Sequence, residues 1–308
     1  TIDRFATELG SNGTWTQSQS TDVPTGQGFS SSLKMDCTAT GSGGYLHITQ
    51  RFEGRNLQYL KKGTANAESL TVSFWVKSTK TGTYIAEFRD LDNTRNISKS
   101  YTISSANTWE KKTITYDGDT SGAFGNDTNA SLELNLWLCA GTGNTSGTLQ
   151  TSWASQVAVN RAVGQVNLGD STSNEWYITG LQVEVGDASD FEFLPIDVVR
   201  HRCERYCRLF GSGVQGRASG TQHFYFSEPM YPEMRATPTL TLKDTSVGVG
   251  NYVSYDKVSS NGSLDLTRSS RTGIVSRISG YTGLTGSDQL QVWHNLTDDN
   301  WLMATAEL

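Results

Sequence analysis

Apolar and polar residues alternate with a period of two along most of this chain, which leaves little room for helices. In SLELNLWLCAG, Leu132, Leu134, Leu136 and Leu138 share one side; in SLTVSFWVKS, Leu70, Val72, Phe74 and Val76 do. SLKMDCT repeats the pattern with Leu33, Met35 and Cys37. Side chains on a strand point alternately to opposite faces, so a single apolar parity marks a strand with one buried side. Further strands are expected at 45–52, 83–89, 100–104, 111–116, 156–168 and 175–185, separated by turn clusters such as GSGG, DGDTSG and GTGNTSG. Many short strands without intervening helices predict an all-β fold, an antiparallel jelly-roll sandwich. Within 175–185 the apolar parity switches between Ile178 and Leu181, and Gly180 at the switch predicts a β-bulge.

One segment breaks the pattern. After the acidic turn GDASDFEF, Pro195 suits the first turn of a helix, and Ile196, Val199, Cys203 and Tyr206 follow at three- and four-residue spacing. A linking α-helix is therefore expected over 195–210, with Arg200, Arg202, Arg205 and Arg208 on its other side. So short a helix needs a partner for its apolar stripe, which makes Arg200, Cys203, Tyr206 and Cys207 candidate interface residues. Strand patterns resume in QHFYFSEPM, PTLTLKD, NYVSYDKV, SLDLTRS, GIVSRISG, DQLQVWHN and NWLMATAEL. The expected organisation is a jelly-roll domain at 1–194, the helix, and a second, smaller antiparallel β domain at 211–308. The second core is lean for its length, so support from the first domain or from further copies is expected.

Charge narrows the partners. The net charge is −6, only 18% of residues are charged, and no Lys/Arg block stands out. Phosphate backbones need a clustered cationic face, so a nucleic-acid partner is not expected. No apolar run is long enough for a helix to span a bilayer, and membrane insertion is not expected. The chain starts at Thr1 rather than Met, as a trimmed chain or a fragment would, and no signal peptide is visible. Cys37, Cys139, Cys203 and Cys207 form no CxxC pair and read as buried thiols rather than a disulfide framework.

Catalytic signatures are missing. His47, His201, His223 and His294 are scattered, and no HExxH, GxSxG or phosphate-binding loop occurs. DGDTSG, with Asp117, Asp119, Ser121 and Gly122, opens like a calcium loop but has Thr128 where the bidentate Glu belongs, so it reads as a solvated hairpin turn. RDLDNTRN, with Asp90 and Asp92, lacks the required Gly. The carboxylates of GDASDFEF and TDDN could serve as acid and base only if a cleft brought them together. The expectation is a protein with no catalytic residues, no metal and no cofactor.

Tryptophans carry more information. Trp75 and Trp137 are out of phase with the apolar sides of their strands and should face away from the core. Asn135 and Glu133 share the parity of Trp137, and Glu87 and Arg89 on a neighbouring strand are expected beside them. An indole next to carboxylate, amide and guanidinium groups can serve a sugar, so Trp75, Trp137, Asn135, Glu87 and Arg89 are the candidate glycan-binding set. The same residue types also suit a contact between domains or subunits, or a ring lying under a loop.

Several stretches together carry a family resemblance: SNGTWTQSQSTDVPTGQGFSSSLKMDCT, TVSFWVKS, GQVNLGDSTSNEWYITGLQVEVGDASDFEF, CERYCRLF, YPEMRATPTLTL and the terminal ATAEL. They resemble a bacteriophage virion family, tail-fibre or other appendage proteins in which a carbohydrate-binding-module-like jelly roll precedes a C-terminal β domain. Residues 177–210 carry the most specific part of the likeness. It implies a structural virion protein, assembled in the host cytoplasm as a homo-oligomer, with three copies as the guess, alongside other virion structural proteins. A glycan-binding module contacting host surface polysaccharide is the alternative, and a polysaccharide-degrading enzyme a third reading. Many such jelly rolls carry acidic residues on the last strand that hold a structural calcium. Here the matching run is YITGLQV, with Thr179 and Gly180 in their place.

Overall fold

The computed structural model describes residues 5–41, 43–211, 213–243, 247–250, 255–258, 262–286, 289–293 and 301–307. The chain divides into two compact units, one running to Phe193 and one comprising Leu194–Glu307. Each is antiparallel β, as the alternation predicts, and a short helix opens the second.

Eleven strands build the first unit: β1 (Phe5–Gly10), β2 (Thr14–Ser20), β3 (Ser32–Ala39), β4 (Tyr45–Glu53), β5 (Leu70–Ser78), β6 (Gly82–Asp90), β7 (Arg95–Ile103), β8 (Glu110–Tyr116), β9 (Ala130–Ala140), β10 (Ala154–Ser155) and β11 (Glu175–Val185). They form a six-stranded sheet, β1-β4-β9-β6-β7-β10, and a five-stranded sheet, β2-β3-β11-β5-β8. With β1, β2 and the two-residue β10 set aside, the remaining eight strands can be numbered one to eight in chain order. They lie 1-8-3-6 in one sheet and 2-7-4-5 in the other, which is a jelly roll.

Alternation places the core between the sheets. Leu132, Leu134, Leu136 and Leu138 of β9 face Val72, Phe74 and Val76 of β5, all of them buried. Aromatic rings meet edge to face in this layer, Phe74 with Tyr101 at 5.2 Å and Phe88 with Tyr116 at 4.9 Å between centroids. The expected bulge is present: the register of β11 on β5 shifts between Thr179 and Gln182. Gly180 there has φ +60°, and a Cβ on it would stand 2.4 Å from the Phe29 ring. The bulge lets Trp176 and Ile178 on one side of it, and Leu181 and Val183 on the other, all pack on the same core.

Two loop expectations change. Residues 156–168 form no strand; they belong to a strap over the six-stranded sheet, containing α1 (Thr142–Thr145), β10 and a 3-10 turn at Ala158–Asn160. The valines of that run do not share a buried face. Val157 is exposed; the Gln165 side chain accepts from the Ile85 backbone N–H of β6 and ties the strap to the sheet, and the Asn160 side chain accepts from the Thr148 N–H within the strap.

DGDTSG is not a solvated turn at its second acid. Asp119 is buried, and Arg95 donates to it at 2.8 and 3.0 Å. The Lys62 ammonium lies 3.1 Å from Asp119 and 2.5 Å from Asp90, and donates to the Ser121 and Gly122 carbonyls at 2.8 and 2.7 Å. A lysine thus sits amid carboxylate and carbonyl oxygens, the donor types a hard cation would use. Burial works to raise the Asp119 carboxyl, but hydrogen bonds from Arg95 and Lys62 outweigh it and hold it below its ordinary value.

In the second unit the helix is shorter than expected. α2 spans Ile196–Glu204, with Pro195 as its N-cap. Tyr206 and Cys207 lie beyond it, and Cys207 starts β12 (Cys207–Phe210) opposite Thr305. The proposed stripe does not hold a helix here: Ile196 is 75% exposed and no helix residue is buried, whereas CRLF gains a ladder of backbone hydrogen bonds as a strand. None of the four cysteines is in a disulfide, but Cys203 and Cys207 are half-buried rather than buried.

Nine further strands follow: β13 (Gln215–Ser219), β14 (His223–Pro229), β15 (Thr239–Leu242), β16 (Gly248–Gly250), β17 (Tyr255–Val258), β18 (Ser263–Ser270), β19 (Gly273–Ser279), β20 (Gln289–Trp293) and β21 (Leu302–Thr305). Together with β12, among the described residues they form a three-stranded sheet, β12-β21-β15, and a seven-stranded sheet, β17-β16-β20-β13-β14-β19-β18. Phe224, Phe226, Ile274, Ile278, Val292, Trp301 and Leu302 belong to one buried core.

Candidate functional site

The most polar interior of the first unit lies on the outer face of its six-stranded sheet. Strand register sets it out in rows. On β4, His47, Thr49 and Arg51 stand opposite Trp137, Asn135 and Glu133 of β9. On β6, Glu87 pairs with Asn135 and Arg89 with Glu133, while Glu8 of β1 pairs with His47. Alternation puts leucines on the core side of these strands and therefore delivers these polar groups together on the other.

Glu87, Asn135 and Trp137, three of the five residues expected for glycan binding, do meet here, but all are fully buried. The strap is the reason. Its Arg161 donates twice to Glu87, each at 2.8 Å, and lies 4.9 Å from the Trp137 ring. Trp137 Nε1 donates to Glu87 at 3.1 Å, and Asn96 and Asn135 add hydrogen bonds at 3.0 and 3.3 Å. Trp137 also packs with Ile85 and Ala162 in a small apolar cluster. The indole offers no face to a sugar; the ring lying under a loop is the reading the geometry takes. Arg89 shares this sheet face and is partly exposed. Trp75 belongs to the other sheet, half-buried, with Lys111 and Thr179 as its ladder partners.

Beside the strapped region the face reaches solvent through Arg51, Glu8 and Arg89, whose side chains are 31%, 32% and 22% exposed. Between them lies buried Glu133. Arg51 Nε donates to it at 2.8 Å and Arg89 Nη1 at 2.7 Å, and Asn135 adds 2.9 Å. Arg51 also reaches Glu8 at 2.5 Å, and Arg89 donates to Gln156 at 3.0 Å. Burial acts to raise the Glu133 carboxyl, yet the two guanidinium groups and Asn135 prevail and bring it to about 2.

Three polar atoms next to this rim have no protein partner: His47 Nδ1, Thr49 Oγ1 and Asn135 Oδ1. They sit on paired or adjacent residues of β4 and β9, and their side chains are essentially inaccessible. Burial pushes His47 down to about 3, with the Arg161 charge adding to the effect. The imidazole is therefore neutral near pH 7, and its 3.6 Å approach to Glu8 is not an ion pair. Nε2 faces the carboxylate and takes the ring proton, which leaves Nδ1 an acceptor. An imidazole nitrogen, an amide oxygen and a hydroxyl together offer two acceptors and one group able to donate or accept. A hydroxyl, which does both, is the matching ligand chemistry.

Among the sequence signals, HITQR carried the missed part. His47, Thr49 and Arg51 alternate with Leu46 and Ile48, but neither length nor composition said that β4 pairs with β9. The other candidates separate. Arg200 is exposed on α2 and Cys203 half-buried there, while Tyr206 is buried beyond the helix and its backbone joins that of Ala306. Arg205 and Arg208 donate to the carbonyls of Glu233 and Tyr231 within the same unit. His201 is exposed, His223 is half-buried, and His294 and the acids of TDDN lie outside the described residues. Among the described residues no three His, Cys, Asp or Glu side chains gather as metal ligands.

No family model and no curated protein matches the chain. Solved structures with partial likeness include the enzymatically active domain of tailspike protein 4 from bacteriophage CBA120. It is 18% identical at a TM-score of 0.36, over 60% of this chain and 20% of that one, so the alignment spans a fifth of that domain's chain. The family 11 carbohydrate-binding module from Clostridium thermocellum, in complex with a β-1,3-1,4-mixed-linked tetrasaccharide, is 11% identical at 0.33, over 62% and 92%. Discoidin II of Dictyostelium discoideum is 8% identical at 0.19, over 96% and 94%.

Proposed function

We propose that the first unit is a glycan-binding module and that its site is the rim of Glu8, Arg51, Glu133 and Arg89 with the floor of His47, Thr49 and Asn135. The observation that carries this reading is the trio of buried polar atoms without partners beside two partly exposed guanidinium groups. A buried polar group left unpaired destabilises a fold by about 1–3 kcal/mol; Asn12, Tyr101, Ser131 and Trp176 carry such atoms elsewhere in the unit, and what sets this trio apart is its place beside the partly exposed Arg51 and Arg89. Sugar hydroxyls can accept from Arg51 and Arg89 at the rim; the floor atoms lie beneath these side chains and are reached only when a guanidinium swings aside. Without an open aromatic platform the site grips by hydrogen bonds, which suits one sugar ring or a chain end.

Binding rather than hydrolysis is favoured by the state of the acids. A glycosidase needs a carboxylic acid that can give up a proton. Glu133 is held as a carboxylate by two arginines, and Glu87 already accepts five hydrogen bonds, two from Arg161 and one each from Asn96, Asn135 and Trp137.

The setting we propose follows from the sequence likeness over 177–210. It is a phage tail-fibre or capsid appendage, three copies together, in which weak single sites gain avidity on host surface polysaccharide. A glycan array followed by calorimetry on the full chain tests the binding. Arg51→Ala should weaken a captured saccharide about tenfold or more. No saccharide bound at millimolar concentration, or unchanged affinity in Arg51→Ala, would remove the proposal.

A further inference from the structure

The second unit carries a groove that neither the core nor the sandwich site explains. The seven-stranded sheet is two-sided: Ala218, Phe224, Phe226, Ile278, Leu290 and Val292 face its core. The opposite parity holds Gln215 opposite Gln291, Arg217 opposite Gln289 and Tyr225, and Tyr225 opposite Arg277. At the edge of this row β16 places Gly250 opposite Gln291. Gly250 itself contributes no side chain there, and a depression of about 710 Å³ runs along the sheet. Its volume falls in the range of ligand pockets.

The lining mixes apolar Phe226, Val275 and Leu290 with polar side chains, and the charge among the latter is positive. Gln215, Gln289 and Gln291 supply amides, each able to donate and accept. Tyr225 supplies a ring held in place by Arg277, which donates to its hydroxyl at 3.0 Å and lies 5.5 Å from its centroid. Arg217 is exposed, and among the described residues lining the groove there is no carboxylate. Three amides and a tyrosine fit a run of sugar hydroxyls. An exposed guanidinium, with no carboxylate among the described lining residues, adds a preference for a carboxylate on that sugar.

We infer that this groove is a second binding site, specific for an acidic, carboxylate-bearing polysaccharide. Arg217 engages the uronate carboxylate, and the glutamines engage hydroxyls of neighbouring rings. The site is independent of the one proposed on the sandwich and uses none of its residues.

Calorimetry on the full chain tests this with oligogalacturonate of about six units and with the same oligomer after carboxyl reduction. The native chain should bind the acidic oligomer at least tenfold more tightly than the reduced one, and added salt should weaken it. Arg217→Ala should lose about tenfold and Gln291→Ala several-fold, while Arg51→Ala in the first unit leaves this binding unchanged. Equal affinity for the two oligomers, or unchanged binding in both second-unit variants, overturns the inference. So does an Arg217→Glu variant whose defect is loss of self-association rather than of saccharide binding. Loss of binding in Arg51→Ala with Arg217→Ala unaffected would instead place the acidic ligand on the sandwich.

Discussion

Replacing Lys62 by Met removes a charge from the most enclosed ion cluster of the jelly roll while keeping the length of the side chain. The ammonium is 5% exposed, 2.5 Å from Asp90 and 3.1 Å from Asp119. Arg95 would still hold Asp119, so the loss falls mainly on Asp90, to which Asn93 donates at 3.0 and 2.9 Å. Removing one partner of a buried ion pair destabilises by about 3–5 kcal/mol. A unit of this size shifts by about 2–4 °C per kcal/mol, so the melting transition of the first unit should fall by roughly 6–20 °C. Differential scanning calorimetry, reading that transition separately from the second, measures the drop. Adding Asp90→Asn to Lys62→Met should recover a substantial part of it, because the buried charge is then gone from both sides. A single variant that melts like the native chain, or a second substitution that merely adds to the loss, would refute the reasoning.

Acid should weaken the first unit in two stages. His47, at about 3 when folded against an ordinary 6.5, stays neutral while the unfolded chain takes up a proton, so its contribution is complete above pH 6.5 and lost toward pH 3. Glu133, at about 2 against 4.5, contributes above pH 4.5 and loses that toward pH 2. The shifts correspond to about 5 and about 3 kcal/mol. Melting temperature against pH should therefore slope below 6.5, and His47→Gln should flatten the upper part; a native curve level from pH 6.5 to 4 contradicts it. Gly180→Ala should destabilise through both the left-handed φ and the collision with Phe29, by about 1–3 kcal/mol in chemical denaturation. An unchanged midpoint would mean that the bulge can be rebuilt without glycine.

What could be seen in the sequence was whatever a single strand decides. Leu132 to Leu138 fixed an inward side, and Gly180 at the parity switch located a bulge that the register then shows. Trp137 was correctly placed on the opposite side from those leucines, but parity cannot say what lies above a face. The strap that covers it comes from residues with their own period-two valines, and hydrogen bonds accepted by the Asn160 and Gln165 side chains decided their conformation instead. β2 was not among the expected strands because Thr, Ser and Gln dominate it, β1 is short and has only Phe5 and Leu9 as large apolar residues, and β12 was hidden inside a helical spacing. The site itself is a product of pairing: His47, Thr49 and Arg51 acquire meaning when Trp137, Asn135 and Glu133 stand opposite. Lys62 and the DGDTSG loop meet for the same reason, through contacts nearly sixty residues apart.

Thr49→Val offers the most direct measurement of whether the polar floor serves a ligand. Valine keeps the shape and removes a buried hydroxyl that has no partner. A floor kept for binding predicts opposite changes in one variant: equal or higher melting temperature, by up to about 1–3 kcal/mol of stability, and saccharide affinity at least several-fold weaker. A variant that binds as the native chain does, or one that loses stability along with affinity, would contradict the assignment of this sheet face to glycan recognition.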